Sequence, residues 1–270
     1  MMNAEAEGAA RRIRVLSKKE LQTVKKHAAL LAAVLAAGLA SLAFGAQQPS
    51  PQPAVPQTAV KMSAYAPAER IPNLDHLKAE VRQYHECTCK CGCYARDLDR
   101  QADQAIAFLR TRAAHRRPDE KLALVLDIDE TTLSNYEEMN KADFAYDSNV
   151  FNAWVNSGKA PAIPGTLRLY TEAQRLGVSV IFITGRPDQQ RAVTERNLHT
   201  QGFQDWQQLI LRPAAQASAT ALVYKSAERA AIAAEGYRIV LNVGDQWSDL
   251  KGTPEAEFSV KYPDPYYFIQ

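Results

Sequence analysis

The stretch LALVLDIDETT, residues 122–132, decides the fold. Five apolar residues in a row are too few for an isolated helix and too uniform for a half-exposed strand. They suit a strand buried on both faces of a parallel sheet. The run ends in two carboxylates, Asp127 and Asp129, where a strand would emerge. Further along, VSVIFITG (178–185), LIL (209–211), ALVY (221–224) and IVLNVGD (239–245) repeat the pattern. Between them, residues 165–176, 187–201 and 226–236 have helical spacing, as does the segment running on from Asp97 through Ala102, Ala105, Ile106 and Leu109. Strand and helix alternate, which predicts an α/β, doubly wound parallel sheet. Such sheets bind ligands outside the carboxyl ends of their strands. The polar residues gather at those ends: Asp127, Asp129, Thr184, Lys225 and Asp245.

The rest of the chain bounds the problem. Its 270 residues are 46% apolar and 23% charged, an ordinary globular composition, and a net charge of +2 supplies no basic field for a nucleic-acid polymer. Residues 1–46 carry seven Lys/Arg against three Asp/Glu, and residues 28–46 are an uncharged Ala/Leu-rich run behind Lys25 and Lys26. This pattern reads as a secretory signal or, since the run is nearly long enough to span a bilayer, as an uncleaved inner-membrane anchor. Either way the downstream chain is expected to be exported, periplasmic or in the cell envelope. Residues 47–73, with Pro49, Pro51, Pro53 and Pro56, read as an extended tether, and the folded part is expected over 74–270.

Asp127 and Asp129 lie two apart, so both can face one side of an exiting strand. Carboxylates that close repel each other unless a cation or a shared proton intervenes, and a hard divalent ion such as Mg²⁺ suits oxygen ligands. An Asp-x-Asp also serves plain turn and capping chemistry, so the pair alone settles little. GDQWSD (244–249) ends another strand, with Asp245 placed to ligate a metal and Asp249 to orient the surrounding shell. Thr184 and Gly185 offer a hydroxyl and backbone N–H groups to a phosphoryl oxygen, and Lys225 offers a fixed positive charge.

In the order DxDxT, strand-end Thr, Lys and GDxxxD, these four segments resemble the haloacid dehalogenase (HAD) superfamily of phosphohydrolases. VLDIDETTLSNY (125–136), IFITGRPD (181–188), YKS (224–226), IVLNVGDQWSDL (239–250) and the tail FSVKYPDPYYFI (258–269) narrow the resemblance to subfamily IIIB. That subfamily holds the bacterial class C acid phosphatases and the plant vegetative storage proteins. The resemblance implies a HAD-like core with a small helical cap and hydrolysis of a small-molecule phosphomonoester. Asp127 would be the nucleophile, through an aspartyl-phosphate, and Asp129 the general acid/base. Mg²⁺ would be held by Asp127, the Asp129 carbonyl and Asp245, with Thr131 and Asp249 in support. Thr184, Gly185 and Lys225 would bind the phosphoryl group. The storage proteins often lack the nucleophile; this chain keeps it.

The long segment 136–164, with the helix around 97–112, is expected to form the cap. Tyr136, Phe144, Tyr146 and Trp154 are candidates to stack on an aromatic leaving group or the base of a nucleoside monophosphate, or else to cement the cap to the core. All four cysteines alternate in CTCKCGC (87–93). Soft-metal ligation, disulfides within the run or between chains, and an incidental cluster are all open readings. Two functional readings therefore stand beside the phosphatase: an idle storage or binding protein on the same fold, and a metal or redox module built on Cys87–Cys93.

Overall fold

The computed structural model describes residues 71–89 and 93–269. The apolar run 28–46, most of the Pro-rich tether and Cys91 lie outside the described residues. Among the described residues no helix is long and apolar enough to cross a membrane.

Two helices precede the sheet. α1 (Leu74–Glu86) is capped by Asn73, whose side chain accepts from the Asp75 N–H at 2.9 Å. α2 (Tyr94–Ala114) buries Leu98, Ala102, Ala105, Ile106 and Leu109, the 3–4 spacing of one helix face. Then β1 (Lys121–Leu126) leads into two short helices, α3 (Tyr136–Lys141) and α4 (Ser148–Ser157), followed by α5 (Pro164–Arg175). The remainder alternates: β2 (Ser179–Pro187), α6 (Arg191–Thr200), β3 (Gln208–Arg212), α7 (Ala221–Ala234), β4 (Tyr237–Gly244), α8 (Trp247–Leu250) and β5 (Phe258–Lys261).

The five strands pair in the order β3-β2-β1-β4-β5, all parallel. β1 is central, and the chain winds first to one side of it and then to the other. The period-2 pleat divides β1 between two cores. Leu122, Leu124 and Leu126 pack with α2 and α5, while Ala123 and Val125 pack with Tyr224 and Ile232 of α7 on the other face. The switch point between β1 and β4 is where such a sheet opens a crevice.

Three sequence expectations need correction. ALVY (221–224) is not a strand but the start of α7: Thr220 caps it, accepting from Val223 N–H, and Val223 is 59% exposed while Tyr224 and Lys225 are buried. A four-residue apolar run cannot tell a strand from a helix start, and the Ala-rich sequence behind it favours the helix. The fifth strand comes instead from Phe258–Lys261. The helix around 97–112 is no part of a cap, because α2 lies on the sheet face against α5, with Ala102 beside Gly165 and Leu109 in the core. Among the described residues α3, α4 and their connecting loop stand over the cavity, with α1 packed against α3 where His85 stacks on Tyr136.

Candidate active site

Asp127 is the first residue past β1, its N–H donating to Val243 O at 3.1 Å and so extending the ladder to β4. The chain then folds back tightly: Thr132 N and Leu133 N both donate to Ile128 O at 2.8 Å, and the Thr132 hydroxyl donates to Asp127 O at 2.5 Å. Glu130 sits at φ +56° within this turn, a conformation that non-glycine residues seldom adopt. It is held there by Asn135, whose backbone N–H donates to Oε1 at 2.6 Å and whose side-chain amide donates to Oε2 at 2.9 Å.

At the end of β4, Gly244 and Asp245 turn into α8. Gln246 N–H donates to Asp249 Oδ2 at 2.8 Å, a reciprocal cap that fixes the Asp249 carboxylate. Arg229, fully buried, donates to Asp249 O at 2.6 Å and Pro254 O at 3.0 Å, and Asn242 donates to Asp249 O at 2.8 Å. Asp245 is bonded at both oxygens, by the Thr131 hydroxyl at 3.0 Å and the Gln246 amide at 2.8 Å.

These turns bring Asp127, Asp245 and Asp249, all buried, to where one oxygen of each lies within 4.8 Å of the others. Lys225 stands among them, donating to Asp127 Oδ1 and, at 2.6 Å, to Asp249 Oδ1. Among the described residues no hydrogen bond reaches Asp127 Oδ2. Burial first, and the neighbouring carboxylates after it, push Asp127 and Asp245 well above the usual range, with Lys225 opposing the shift at Asp127. The same carboxylates hold Lys225 charged despite its burial. Counting Asp129, Glu130 and Asp264, six carboxylates gather here, and among the described residues Lys225 and Arg186 are the cations ion-paired with their side chains. Three converging carboxylates that one lysine does not neutralise are a donor set fitted to a hard divalent cation.

The Asp129 side chain leaves that cluster. Its Oδ1 accepts from Arg186 Nη2 at 2.7 Å, from Arg186 Nε at 3.2 Å and from Asn135 Nδ2 at 2.9 Å, whereas Oδ2 receives only Arg186 Nε at 3.2 Å. Burial alone would raise this carboxyl; the buried Arg186 guanidinium outweighs it and holds Asp129 below its ordinary value. Thr184, fully buried, accepts from Arg186 N–H at 3.2 Å, and nothing stands within 4 Å of where a Gly185 Cβ would be.

A cavity of about 560 Å³ opens above these groups. Asp127, Asp129, Lys225 and Asp245 floor it, and α3, α4 and the C-terminal tail wall it. The tail bonds into the floor: Gln246 Nε2 donates to Asp264 at 2.6 Å and Ile269 N–H donates to Gln246 Oε1 at 3.0 Å. Of the four aromatic candidates, Phe144 and Tyr146 line the cavity, Phe144 with its ring parallel to Tyr266 at 6.1 Å and Tyr146 79% exposed. The other two do not line it. Tyr136 stacks on His85 at 3.4 Å and donates to Glu86 at 2.8 Å. Trp154 is buried, its indole N–H donating to Asn135 Oδ1 at 2.8 Å. A large ring follows the core as readily as a ligand: Trp154 is buried in the core, and Tyr136 is taken up by His85 and Glu86 of α1.

Arg186, Asn135, Gln246 and Tyr266 were not among the expected site residues. All four lie inside the family-like segments, so those segments were the available signal. The cysteine run forms a Cys87–Cys93 disulfide joining the end of α1 to the start of α2, and no described cysteine is a free thiol.

The family model for HAD superfamily, subfamily IIIB (acid phosphatase), matches residues 50–270. Acid phosphatase 1 of Solanum lycopersicum is 40% identical over 179 residues, covering 65% of this chain and 69% of that protein. Vegetative storage protein 1 of Arabidopsis thaliana is 37% identical over 207 residues, covering 74% of each. Among solved structures, the class C acid phosphatase from Bacillus anthracis shares the fold, with a TM-score of 0.60 at 20% identity over 72% of this chain and 86% of that one.

Proposed function

The chain belongs to the HAD superfamily, subfamily IIIB, and is an acid phosphatase, a phosphoric monoester hydrolase; from that premise we propose that Asp127 is its nucleophile and Asp129 its general acid/base. The observation that carries this reading is the convergence of Asp127, Asp245 and Asp249 around Lys225, with one Asp127 oxygen left without a hydrogen bond. A group that must attack keeps one open.

Asp127 Oδ2 attacks phosphorus in line with the bond to the alcohol oxygen. As that bond breaks, the departing oxygen takes a proton from Asp129, whose carboxyl must first gain it against the hold of Arg186, and the alcohol leaves. A water then attacks the phosphorus of the aspartyl-phosphate and gives its proton to Asp129. The bond from Asp127 to phosphorus breaks, and inorganic phosphate departs with both carboxyl groups as they began. Lys225, the Thr184 hydroxyl and the Gly185 N–H hold the phosphoryl oxygens on which charge is spread. Mg²⁺, bound by Asp127, the Asp129 carbonyl and Asp245, supplies positive charge that offsets the approach of one anion to another. Thr131 and Gln246 orient Asp245 for this, and Lys225 and the α8 turn orient Asp249.

The cavity wall supports a substrate with an aromatic alcohol, including a nucleoside monophosphate. Phe144, Tyr146, Tyr266 and Phe268 line the cavity beyond the floor. The basic and apolar front segment, together with the Cys87–Cys93 disulfide, supports export to an oxidising compartment, with the protein released there or held by residues 28–46.

Purified protein assayed with p-nitrophenyl phosphate tests the reading. Turnover is expected with Mg²⁺ and not with EDTA. Asp127→Asn should abolish it while leaving the fold intact, and substantial residual turnover would remove Asp127 from its role.

A further inference from the structure

α1 carries Lys78, Arg82, His85 and Glu86 at positions i, i+4, i+7 and i+8, so all four stand on one face. No residue of α1 is buried, and the helix has no core of its own to hold it. Its last turns are tied to α2 instead: the Tyr84 hydroxyl donates to Asp97 Oδ2 at 2.5 Å, and the Cys87–Cys93 disulfide closes the connection. The polar face lies against α3 from end to end. At the start of α3, Tyr136 stacks on His85 and donates to Glu86. At its far end, Lys78 Nζ donates to Asp143 Oδ2 at 2.5 Å. Arg82 donates from Nη2 to Asp143 Oδ1 and from Nε to Asn140 Oδ1 at 2.7 Å. The same guanidinium lies 5.0 Å from the centre of the Phe144 ring.

These contacts meet the chain where its backbone is least relaxed. Asp143 and Phe144 have φ of +53° and +57°, two successive left-handed residues of which neither is glycine. Such conformations persist where the surroundings fix them. Within the cap, Phe144 N–H donates to Met139 O at 2.8 Å and Asp143 N–H to Asn140 O at 3.1 Å. From outside it, Lys78 and Arg82 hold the Asp143 carboxylate, and Arg82 lies over the ring of Phe144. Phe144 leaves this turn to line the cavity parallel to Tyr266, and the Tyr266 hydroxyl is paired with His85 Nδ1. Both rings are thus held from α1, yet no residue of α1 lines the cavity. A single exposed ion pair contributes little to stability. Here one guanidinium touches three residues of one turn, and what it fixes is the place of a ring. We infer that α1 is a brace that sets substrate choice from outside the cavity, with Arg82 a positioning residue that holds Phe144 in the cavity wall. This rests on the reading of that wall as the seat of an aromatic alcohol.

A brace that only supported the fold would affect every substrate alike. The experiment measures KM and kcat for p-nitrophenyl phosphate and ethyl phosphate in the full protein with Mg²⁺. The variants are Arg82→Ala, Arg82→Gln, Phe144→Ala and the double variant of Arg82→Ala with Phe144→Ala. Each Arg82 variant is expected to raise KM for p-nitrophenyl phosphate about 3–10-fold, the range an aromatic contact supplies. Both kcat values and KM for ethyl phosphate should stay within about twofold of the unaltered protein. Because Arg82 acts through the ring, Arg82→Ala should add nothing once Phe144 is replaced, so the two changes are not additive. Arg82→Gln keeps the stem and takes the place of Arg82→Ala, alone and in the double variant, should the latter fail to fold. If Phe144→Ala separates the two substrates, three results would overturn the inference and leave the aromatic reading standing: no change from Arg82, an equal loss on both substrates, or additive effects in the double variant. If Phe144→Ala does not separate them, the reading of the wall falls first and takes the inference with it.

Discussion

The Asp249 carboxylate rests against the α-carbon of Gly244, so close that a Cβ placed on Gly244 would lie 2.4 Å from both Asp249 Cβ and Asp249 Oδ2. Glycine is required here by proximity alone, since side chain and backbone share space no methyl could enter. The turn carrying Asp249 cannot yield freely, because Arg229 and Asn242 pin its carbonyl and Gln246 N–H pins its carboxylate. Gly244→Ala should therefore displace Asp249 and release Lys225 from it. The expected result is at least a tenfold loss in kcat and a smaller rise in melting temperature on adding Mg²⁺, with the far-ultraviolet circular dichroism unchanged. Full activity in this variant would show that Asp249 has no part in holding the site.

Lys225 is the only cation paired with the carboxylates of Asp127 and Asp249 among the described residues. Removing one member of a buried ionic group leaves the others without compensation, a cost of about 3–5 kcal/mol. Lys225→Met should lower stability by about that amount in EDTA at neutral pH. Because a divalent cation would then carry more of the neutralisation, the gain in stability on adding Mg²⁺ should exceed that of the unaltered protein. Catalysis should stay low in both conditions, since Lys225 is also the residue proposed to hold the phosphoryl group. Chemical denaturation with and without Mg²⁺ reads both halves of this prediction.

Phe268 is 71% exposed and lines the cavity rim, where an apolar side chain gains nothing until something covers it. An aromatic contact of this kind contributes about 0.5–1.5 kcal/mol beyond buried area, or about 3–10-fold in affinity. Phe268→Ser is expected to raise KM by that factor for a nucleoside monophosphate or aryl phosphate, to leave kcat nearly unchanged, and to leave KM for ethyl phosphate unaffected. An equal change across all three substrates would assign the residue to holding the tail rather than to the alcohol moiety.

How much of this was legible in the sequence differs between backbone and side chains. The buried runs ending in Asp127, Thr184 and Asp245 announce a parallel sheet because both faces must be apolar, a constraint that each run satisfies by itself. ALVY obeyed the same rule and misled, since Tyr224 and Lys225 are buried by a helix whose first turn happens to be apolar, while Val223 points outward. FSVK went unrecognised because, as an edge strand, its burial is uneven and its apolar signal weak. Lys225 reached its place regardless, because a helix start and a strand end lie on the same rim of the sheet. The clamp on Asp129 was less visible. Arg186 and Asn135 are separated from it by 57 and 6 positions, and nothing in that spacing says that both would meet on one carboxylate. Pairings of that kind are fixed only when the cap settles on the sheet.

Away from the site, Glu172 of α5 is held between Arg175, at 2.6 Å, and Arg110 of α2, at 2.7 Å. Hydrogen bonds from Arg175 first and Arg110 next bring its carboxyl down to about 2. Glu120 is likewise brought down to about 2, chiefly by Arg112. A folded-state value below the unfolded one, about 4.3 for glutamate, means the native chain releases the proton more readily than the unfolded chain. The stabilisation is thus complete above about pH 4.3 and disappears as pH falls towards 2. The share of the melting temperature that Glu172 and Glu120 contribute should hold steady from neutral pH to near 5 and then decline. Glu172→Gln should melt lower than the unaltered protein at pH 6 and together with it at pH 2. A gap that persists at pH 2 would mean that Glu172 stabilises the α2–α5 contact through packing of its stem rather than through its charge.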